Sequence, residues 1–387
     1  MQSFTISKAQ IARIVGAAIA DELSRGFNRH FDFMTIASWD EQTPLGEGGI
    51  GMSQSERTAC AARLKAFFGI DDTGASASWS NAVKIADWAR VIERCVKQRL
   101  TKFSFKSAAR TEETSAHEHN ADSVFQDAAA AANLLAGRRR LLSLVAPHSL
   151  LGFVLTILSP NLLRIPSIDG RGLTADFLAE SLSYGDVLIA TPTLWRYMMQ
   201  EKLQAPNNTM AVSFGEPMTA DLASDMRKAG FGVLRELYGS TEAGLIGWRD
   251  SPSDSFVLFD HWLHDGEMLL RLAPNGARLA QNSVDFIDWT DERSFRLGGR
   301  RDGAVQIAAV NVFPDDVARR LEAAPEIESC RIRVGRRGDG VNSIIAHIIL
   351  KDGRAPSDSV ARSIDAWCRA HLRQQERPRI YQFEAPE

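Results

Sequence analysis

Tyr238-Gly239-Ser240-Thr241-Glu242 places a flat ring, a tight turn, two hydroxyls and a carboxylate within five residues. A ring can stack on a base. The hydroxyls, with the backbone N–H groups of a turn, can hold a phosphate, and the carboxylate of Glu242 can hold a divalent metal. Together these groups suit a nucleotide. The apolar run Gly232-Val233-Leu234 precedes them, and Gly244 and Gly247 follow. The stretch reads as a strand that runs into a turn.

Further candidates lie on either side. Gly299-Arg300-Arg301-Asp302-Gly303 is followed by Val305-Gln306-Ile307 and Val312-Phe313-Pro314. Taken singly, Arg300 and Asp302 read as an exposed ion pair of little energetic worth. Val145-Ala146-Pro147-His148-Ser149-Leu150-Leu151-Gly152-Phe153 sets His148 at an apolar strand-to-helix junction, where a core histidine is the plainer reading. The run from Asp186 to Trp195 reads as a buried parallel strand that ends in a Pro turn. In Val212-Ser213-Phe214-Gly215-Glu216-Pro217-Met218, Gly215 lets the backbone approach a ligand closely. These candidates fall at strand ends, where open α/β sheets bind ligands.

In this order the motifs resemble those of the adenylate-forming superfamily, which contains acyl-CoA ligases, the adenylation domains of peptide synthetases, and luciferases. The resemblance makes Tyr238 to Glu242 the AMP-binding motif and sets Gly215 and Glu216 against the adenine. It gives Asp285 the ribose hydroxyls, a charge-assisted contact. Arg300 would reach the ribose or phosphate, and Asp302 would be the hinge to a mobile C-terminal domain. His148 would sit beside the acyl substrate, so that Thr241, Glu242 and His148 form the implied catalytic set. The implied cofactors are ATP or AMP, Mg²⁺ on Glu242, and CoA or phosphopantetheine as acceptor. Arg301-Asp302-Gly303-Ala304-Val305-Gln306 and Glu376-Arg377-Pro378-Arg379 are similar to bacterial coumarate-CoA-ligase-like proteins with a carrier-like N-terminal extension. That likeness spans most of residues 30 to 387.

The expected fold is α/β, with largely parallel sheets in an AMP-binding domain over residues 76–301. A helical, carrier-like module precedes it over 1–75. A small α+β domain follows over 302–387. Ser7-Lys8-Ala9-Gln10 is a capping box, after which Ile11, Ile14, Val15, Ala18 and Ile19 share a helical face. A glycine loop at 46–51 and a second helix ending at Phe68 complete the carrier likeness. A carrier needs a serine in an Asp-Ser-Leu context to bear its phosphopantetheine arm, and Gln54 occupies that position, between Ser53 and Ser55. A module without an arm is the expectation, with a working carrier as the alternative.

Three departures from the family pattern stand out. The phosphate loop should be rich in glycine and end in lysine. The corresponding stretch, Phe103 to Glu113, has no glycine and carries Glu112 and Glu113, with Lys106 and Arg110 as partial compensation. No lysine follows Lys351, and Ala308-Ala309-Val310-Asn311 stands where a glycine supports the pantetheine loop.

The chain has 387 residues, 44% of them hydrophobic, and a net charge of −3. That allows two or three domains with real cores and favours no nucleic-acid partner. No run is long or apolar enough to span a bilayer, and no secretion signal is seen. Four scattered cysteines indicate neither disulfides nor zinc. His117 and His119, two apart, would point away from each other on a helix. A cytoplasmic location is expected. The reading is an AMP-forming ligase that activates a carboxylic acid, aromatic or flat, and passes it to CoA or an acyl carrier protein. The alternative is a degenerate homologue that serves as a binding or scaffold subunit for a carrier or partner ligase.

Overall fold

The computed structural model describes residues 5–71, 76–98, 100–107, 116–308, 310–336 and 342–384. Glu112, Glu113, Arg110 and Ala309 lie outside them. The chain forms two compact units: Met1–Lys106 with Ala116–Ser283 and Ile287–Arg296, and Ser107–Ser115 with Val284–Phe286 and Leu297–Glu387.

The first unit opens with helices α1 (Lys8–Phe27), α2 (Phe33–Ser38), α3 (Gln54–Phe67), α4 (Ser76–Ser80) and α5 (Ile85–Gln98). α1 starts on the capping box: Ser7 Oγ accepts from Gln10 N and Gln10 Oε1 accepts from Ser7 N. Its stripe of Ile11, Ile14, Val15, Ala18, Ile19 and Leu23 is fully buried. α3 is capped by Ser53 in a second box with Glu56. Two short strands, β1 (Lys102–Lys106) and β2 (Ala116–Asn120), pair antiparallel, and α6 (Ala121–Leu134) follows. Phe67 of α3 packs edge-on against Phe105 of β1 at 5.1 Å and against Phe153 at 5.5 Å. The N-terminal helices therefore share apolar contacts with the rest of this unit.

The central sheet contains β3 (Arg140–Ser143), β4 (Ser167–Asp169), β5 (Asp186–Ala190), β6 (Thr209–Phe214), β7 (Phe231–Ser240), β8 (Gly244–Arg249) and β9 (Phe256–Leu258). The helices between them are α7 (Leu150–Phe153), α8 (Ser159–Leu163), α9 (Ala175–Ser181), α10 (Pro192–Gln200) and α11 (Ala220–Lys228). β4, β3, β5, β6 and β7 lie side by side and parallel; β8 and β9 continue antiparallel. β5 and β6 are buried along their whole length, which is why they read as unbroken apolar runs. The chain leaves β3, fills the outer place with β4, then returns to lay β5 on the other side of β3. The β3/β5 junction is therefore a topological switch point, with its crevice at the carboxyl ends of the strands.

A small sheet of β10 (Trp262–Asp265), β11 (Met268–Leu272) and β12 (Arg278–Gln281) follows. β13 (Asp285–Trp289) and β14 (Ser294–Arg300) carry residues of both units. The second unit continues with β15 (Val305–Ile307), β16 (Val310–Val312), α12 (Pro314–Leu321), β17 (Ile327–Arg336), β18 (Asn342–Leu350), α13 (Asp358–His371) and β19 (Ile380–Glu384). β17 pairs antiparallel and β19 parallel with β18, over a core that includes Val317, Leu321, Ile344, Ile348 and Ile364. Among the described residues no helix is long and apolar enough to cross a membrane.

Candidate functional site

The Tyr238 to Glu242 motif is the end of β7 and the turn into β8. Tyr238 is only 7% exposed. Its ring packs on Phe295 and Phe256 at 5.6 and 5.8 Å, and its hydroxyl lies 3.3 Å from Ser283 Oγ. The turn admits no side chain at two positions. A Cβ on Gly239 would come within 2.4 Å of the Gly244 carbonyl, and one on Gly244, at φ +94°, within 2.4 Å of Asp127 Oδ2. Ser240 Oγ accepts from Ala243 N at 3.1 Å and closes the turn.

Other elements hold this turn from several sides. His119 Nε2 on β2 lies 2.7 Å from the Thr241 carbonyl oxygen. His117 Nε2 lies 3.6 Å from Glu242 Oε1. Gln281 at the end of β12 donates to the Glu242 carbonyl at 2.7 Å, and Arg271 on β11 donates to that of Ala243 at 3.2 Å. The histidines were expected to diverge on a helix; they lie instead on a strand, where residues two apart share a face. Burial pushes the His119 ring below its ordinary value, which favours the neutral form.

Beneath the turn, Asp127 of α6 is buried. It accepts from Leu245 N at 3.0 Å, and its Oδ1 lies 2.6 Å from Arg271 Nη2 and 3.0 Å from His261 Nε2. Burial alone would raise this carboxyl, but the Arg271 charge and His261 overrule it and keep it low. The sequence shows Asp127 only as one acid beside an alanine run, so nothing local marks it.

At the switch point, His148 follows β3. Ser149 caps α7 by accepting from Gly152 N at 3.1 Å, and a Cβ at Gly152 would meet the Ala146 carbonyl at 2.1 Å. His148 Nε2 lies 3.8 Å from Asp21 Oδ1 of α1. Burial drives the imidazole down to about 4, against the pull of Asp21, so the ring is neutral at pH 7. For Asp21, burial would raise the carboxyl, yet His148, Arg25 and Arg63 bring it to about 2. With His148 neutral, the two guanidiniums carry that effect.

β6 ends beside β7, with Phe214 opposite Leu237. Gly215 adopts φ +90°, which a side chain would resist. Glu216 turns toward α10: both carboxylate oxygens lie 2.9 Å from the Thr193 hydroxyl, and Arg196 Nη1 lies at 3.5 Å. The parallel register thus gathers His148, Gly215, Glu216 and the Tyr238 to Glu242 turn at one end of the sheet. Lys106 at the end of β1 pairs with Glu22 of α1 at 2.9 Å, both largely buried.

In the second unit, Arg300 Nε and Nη2 bind Asp302 side-on at 2.9 and 2.6 Å. Asp302 also accepts from Ala304 N at 3.0 Å. Burial would raise Asp302, but these contacts hold it below its ordinary value. Asp285 starts β13, and its carbonyl accepts from Arg301 Nε at 3.3 Å.

No group of three or more His, Cys, Asp or Glu able to hold a metal occurs among the described residues. A single carboxylate such as Glu242 is what Mg²⁺ needs when nucleotide phosphates and water supply its other ligands. The tight glycine turn likewise fits a phosphate against backbone N–H groups.

No protein-family model matches the sequence. The chain is 30% identical over 372 residues to 4-coumarate–CoA ligase of Halorhodospira halophila, covering 95% of this chain and 94% of that one. It is 27% identical over 392 residues to 4-coumarate–CoA ligase of Rhodobacter capsulatus, covering 96% of each. Among solved structures it is similar in fold to the amide bond synthetase McbA of Marinactinospora thermotolerans. There the TM-score is 0.62 at 14% identity, over 96% of this chain and 90% of that one. The o-succinylbenzoate CoA synthetase of Bacillus subtilis gives 0.56 at 14% identity, over 70% of this chain and 62% of that one. With its strand-end motifs, its glycine turn and a relative aligned nearly end to end, the chain belongs to the adenylate-forming superfamily, among its acid–thiol ligases.

Proposed function

We propose that this ligase activates an aromatic carboxylic acid and transfers it to the thiol of CoA. The observation that carries the reading is the convergence of His148, Gly215 and the Tyr238 to Glu242 turn at the carboxyl ends of β3, β6 and β7. Two curated relatives named 4-coumarate–CoA ligase support an aromatic acid. A carboxylate oxygen attacks the α-phosphorus of ATP, and pyrophosphate leaves. The thiol then attacks the acyl carbon, and AMP leaves.

In this scheme the turn from Gly239 to Thr241 offers backbone N–H groups and hydroxyls to the phosphate, and His119 keeps that turn in place. Glu242 would hold Mg²⁺, which would neutralise phosphate charge. The neutral His148 faces the acid without adding charge. Gly215 and Glu216 border the adenine; within the second unit Arg300 is held by Asp302, the proposed hinge residue. An acyl carrier protein is the alternative thiol source.

A second reading, a homologue with little turnover of its own, is favoured by one observation. Lys106, the lysine within the glycine-free stretch, is committed to Glu22. Pyrophosphate release with a panel of aryl and alkyl acids, with and without CoA, tests both. Acid-dependent release that becomes CoA-dependent thioester formation supports the ligase; no release with any acid supports the second reading.

A further inference from the structure

Arg63 of α3 is 4% exposed and makes no close ion pair among the described residues, although the charges of Asp21 and Glu22 act on it. Its Nη1 donates to the Ser104 carbonyl at 3.3 Å, and its guanidinium sits 5.9 Å from the Phe67 ring centre, which fixes its plane. Nε and Nη2 are buried and have no hydrogen-bond partner. Those two nitrogens form the side-on edge of a guanidinium, the edge that matches the two oxygens of a carboxylate.

The neighbouring acids are already matched. Asp21 pairs with Arg25 at 2.8 Å, Glu22 with Lys106 at 2.9 Å, and Glu56 with Arg29 at 2.8 Å. Arg63 shares Asp21 and Glu22 with cations that already bind them, so its charge is only partly compensated out of water, where that is costly. Asp21 also lies 3.8 Å from His148, at the switch point. His148 Nδ1 and Asp21 Oδ2 are likewise buried and without partners. Asp21 Oδ2 only accepts, so it suits a hydroxyl or water proton and not the carboxylate itself. His148 feels the Arg63 charge, which helps to keep the ring neutral.

We infer that Arg63 binds a carboxylate of the acid substrate through its Nε and Nη2, making α3 a wall of the acid pocket. The inference rests on the ligase reading for the location of that pocket. The carboxylate is either the one that reacts or a second one carried by the same acid.

The test measures binding directly, by calorimetry, so that it is independent of turnover. The probes are cinnamate, its neutral amide, and 4-carboxycinnamate, titrated into the full chain and into Arg63→Gln and Arg63→Lys. The wild type should bind cinnamate or 4-carboxycinnamate and discriminate at least about 10-fold against the amide. Arg63→Gln should weaken carboxylate binding by roughly 10- to 100-fold, a charge-assisted bidentate contact being at stake. Arg63→Lys, which keeps charge without the fork, should fall between. Equal loss for both acids identifies the reacting carboxylate; loss confined to 4-carboxycinnamate identifies a second one. Circular dichroism confirms folding, and if Arg63→Gln does not fold, Arg63→Lys and the wild-type acid–amide comparison decide. Binding within 3-fold of wild type in a folded variant overturns the inference, as does a wild type that binds none of the probes or cannot tell acid from amide. Loss of binding in Arg63→Gln with no pyrophosphate release from wild type would uphold this site and sink the ligase reading.

Discussion

His119 on β2 reaches across to the carbonyl of Thr241, 2.7 Å away, and ties a short outlying strand to the turn of the nucleotide motif. Replacing His119 by Phe removes that tie while filling the space. The part-buried carbonyl then loses its partner, a cost of about 1 kcal/mol. Acid-dependent pyrophosphate release should fall about 10-fold or more, with the far-UV spectrum unchanged. Activity within twofold of wild type would show that the tie does not position the turn.

Gly244→Ala should lower stability by about 2 kcal/mol or more. Its φ is +94°, and the new methyl would press on Asp127. Gly232→Ala is the control: there a Cβ meets Asn208 N at an ordinary 3.5 Å and φ is not positive. Thermal melting of the two variants separates the cases; equal midpoints would contradict the geometry.

Tyr238 calls for a milder substitution than alanine. The ring is a core ring, so Tyr238→Ala should cost roughly 3–5 kcal/mol in folding before binding is even considered. Tyr238→Phe keeps the packing and removes only the hydroxyl near Ser283. It should melt close to wild type, and any loss of AMP affinity by calorimetry then reports on the site. A Tyr238→Ala variant as stable as wild type would mean that the ring is not held as described.

His148 gives stability a pH dependence. Folded, its pKa lies near 4; its ordinary value is 6.5. Between these values the unfolded chain binds a proton that the folded chain does not, so stability falls as pH drops from about 6.5 to 4. The full effect approaches about 3 kcal/mol. His148→Asn should flatten that part of the stability–pH curve measured by urea titration. An unchanged curve would show that the ring already charges in the fold.

AMP should bind more tightly than ATP in the presence of Mg²⁺. Lys106 is held by Glu22, and the stretch from Phe103 to Glu113 has no glycine to present N–H groups to the outer phosphates. Calorimetry with both nucleotides decides; a tighter ATP would refute the argument.

The second unit was largely legible before any coordinates, because its strands alternate and its helices carry clear stripes. The small α+β domain expected there contains β17, β18 and β19 with α12 and α13. β5 was legible for the opposite reason, as the short unbroken apolar run that starts at Asp186. What escaped were partners supplied from far along the chain. His119 meets Thr241 across 122 residues, and Leu245 N meets Asp127 across 118. Nothing in the sequence around Arg63 marks it as buried. The inward packing of Tyr238 also escaped, since its aromatic neighbours, Phe256 and Phe295, come from β9 and β14.

The groups gathered around His148 come from α1 and α3, whereas the nucleotide turn is braced by β2, α6, β11 and β12. The two sets share no residue. On the proposed reading, choice of acid and adenylate chemistry are therefore separately heritable. If Arg63 binds the acid, a lineage would exchange one substrate for another by rewriting two helices in its first seventy residues, while the turn braced by β2, α6, β11 and β12 passes on unaltered.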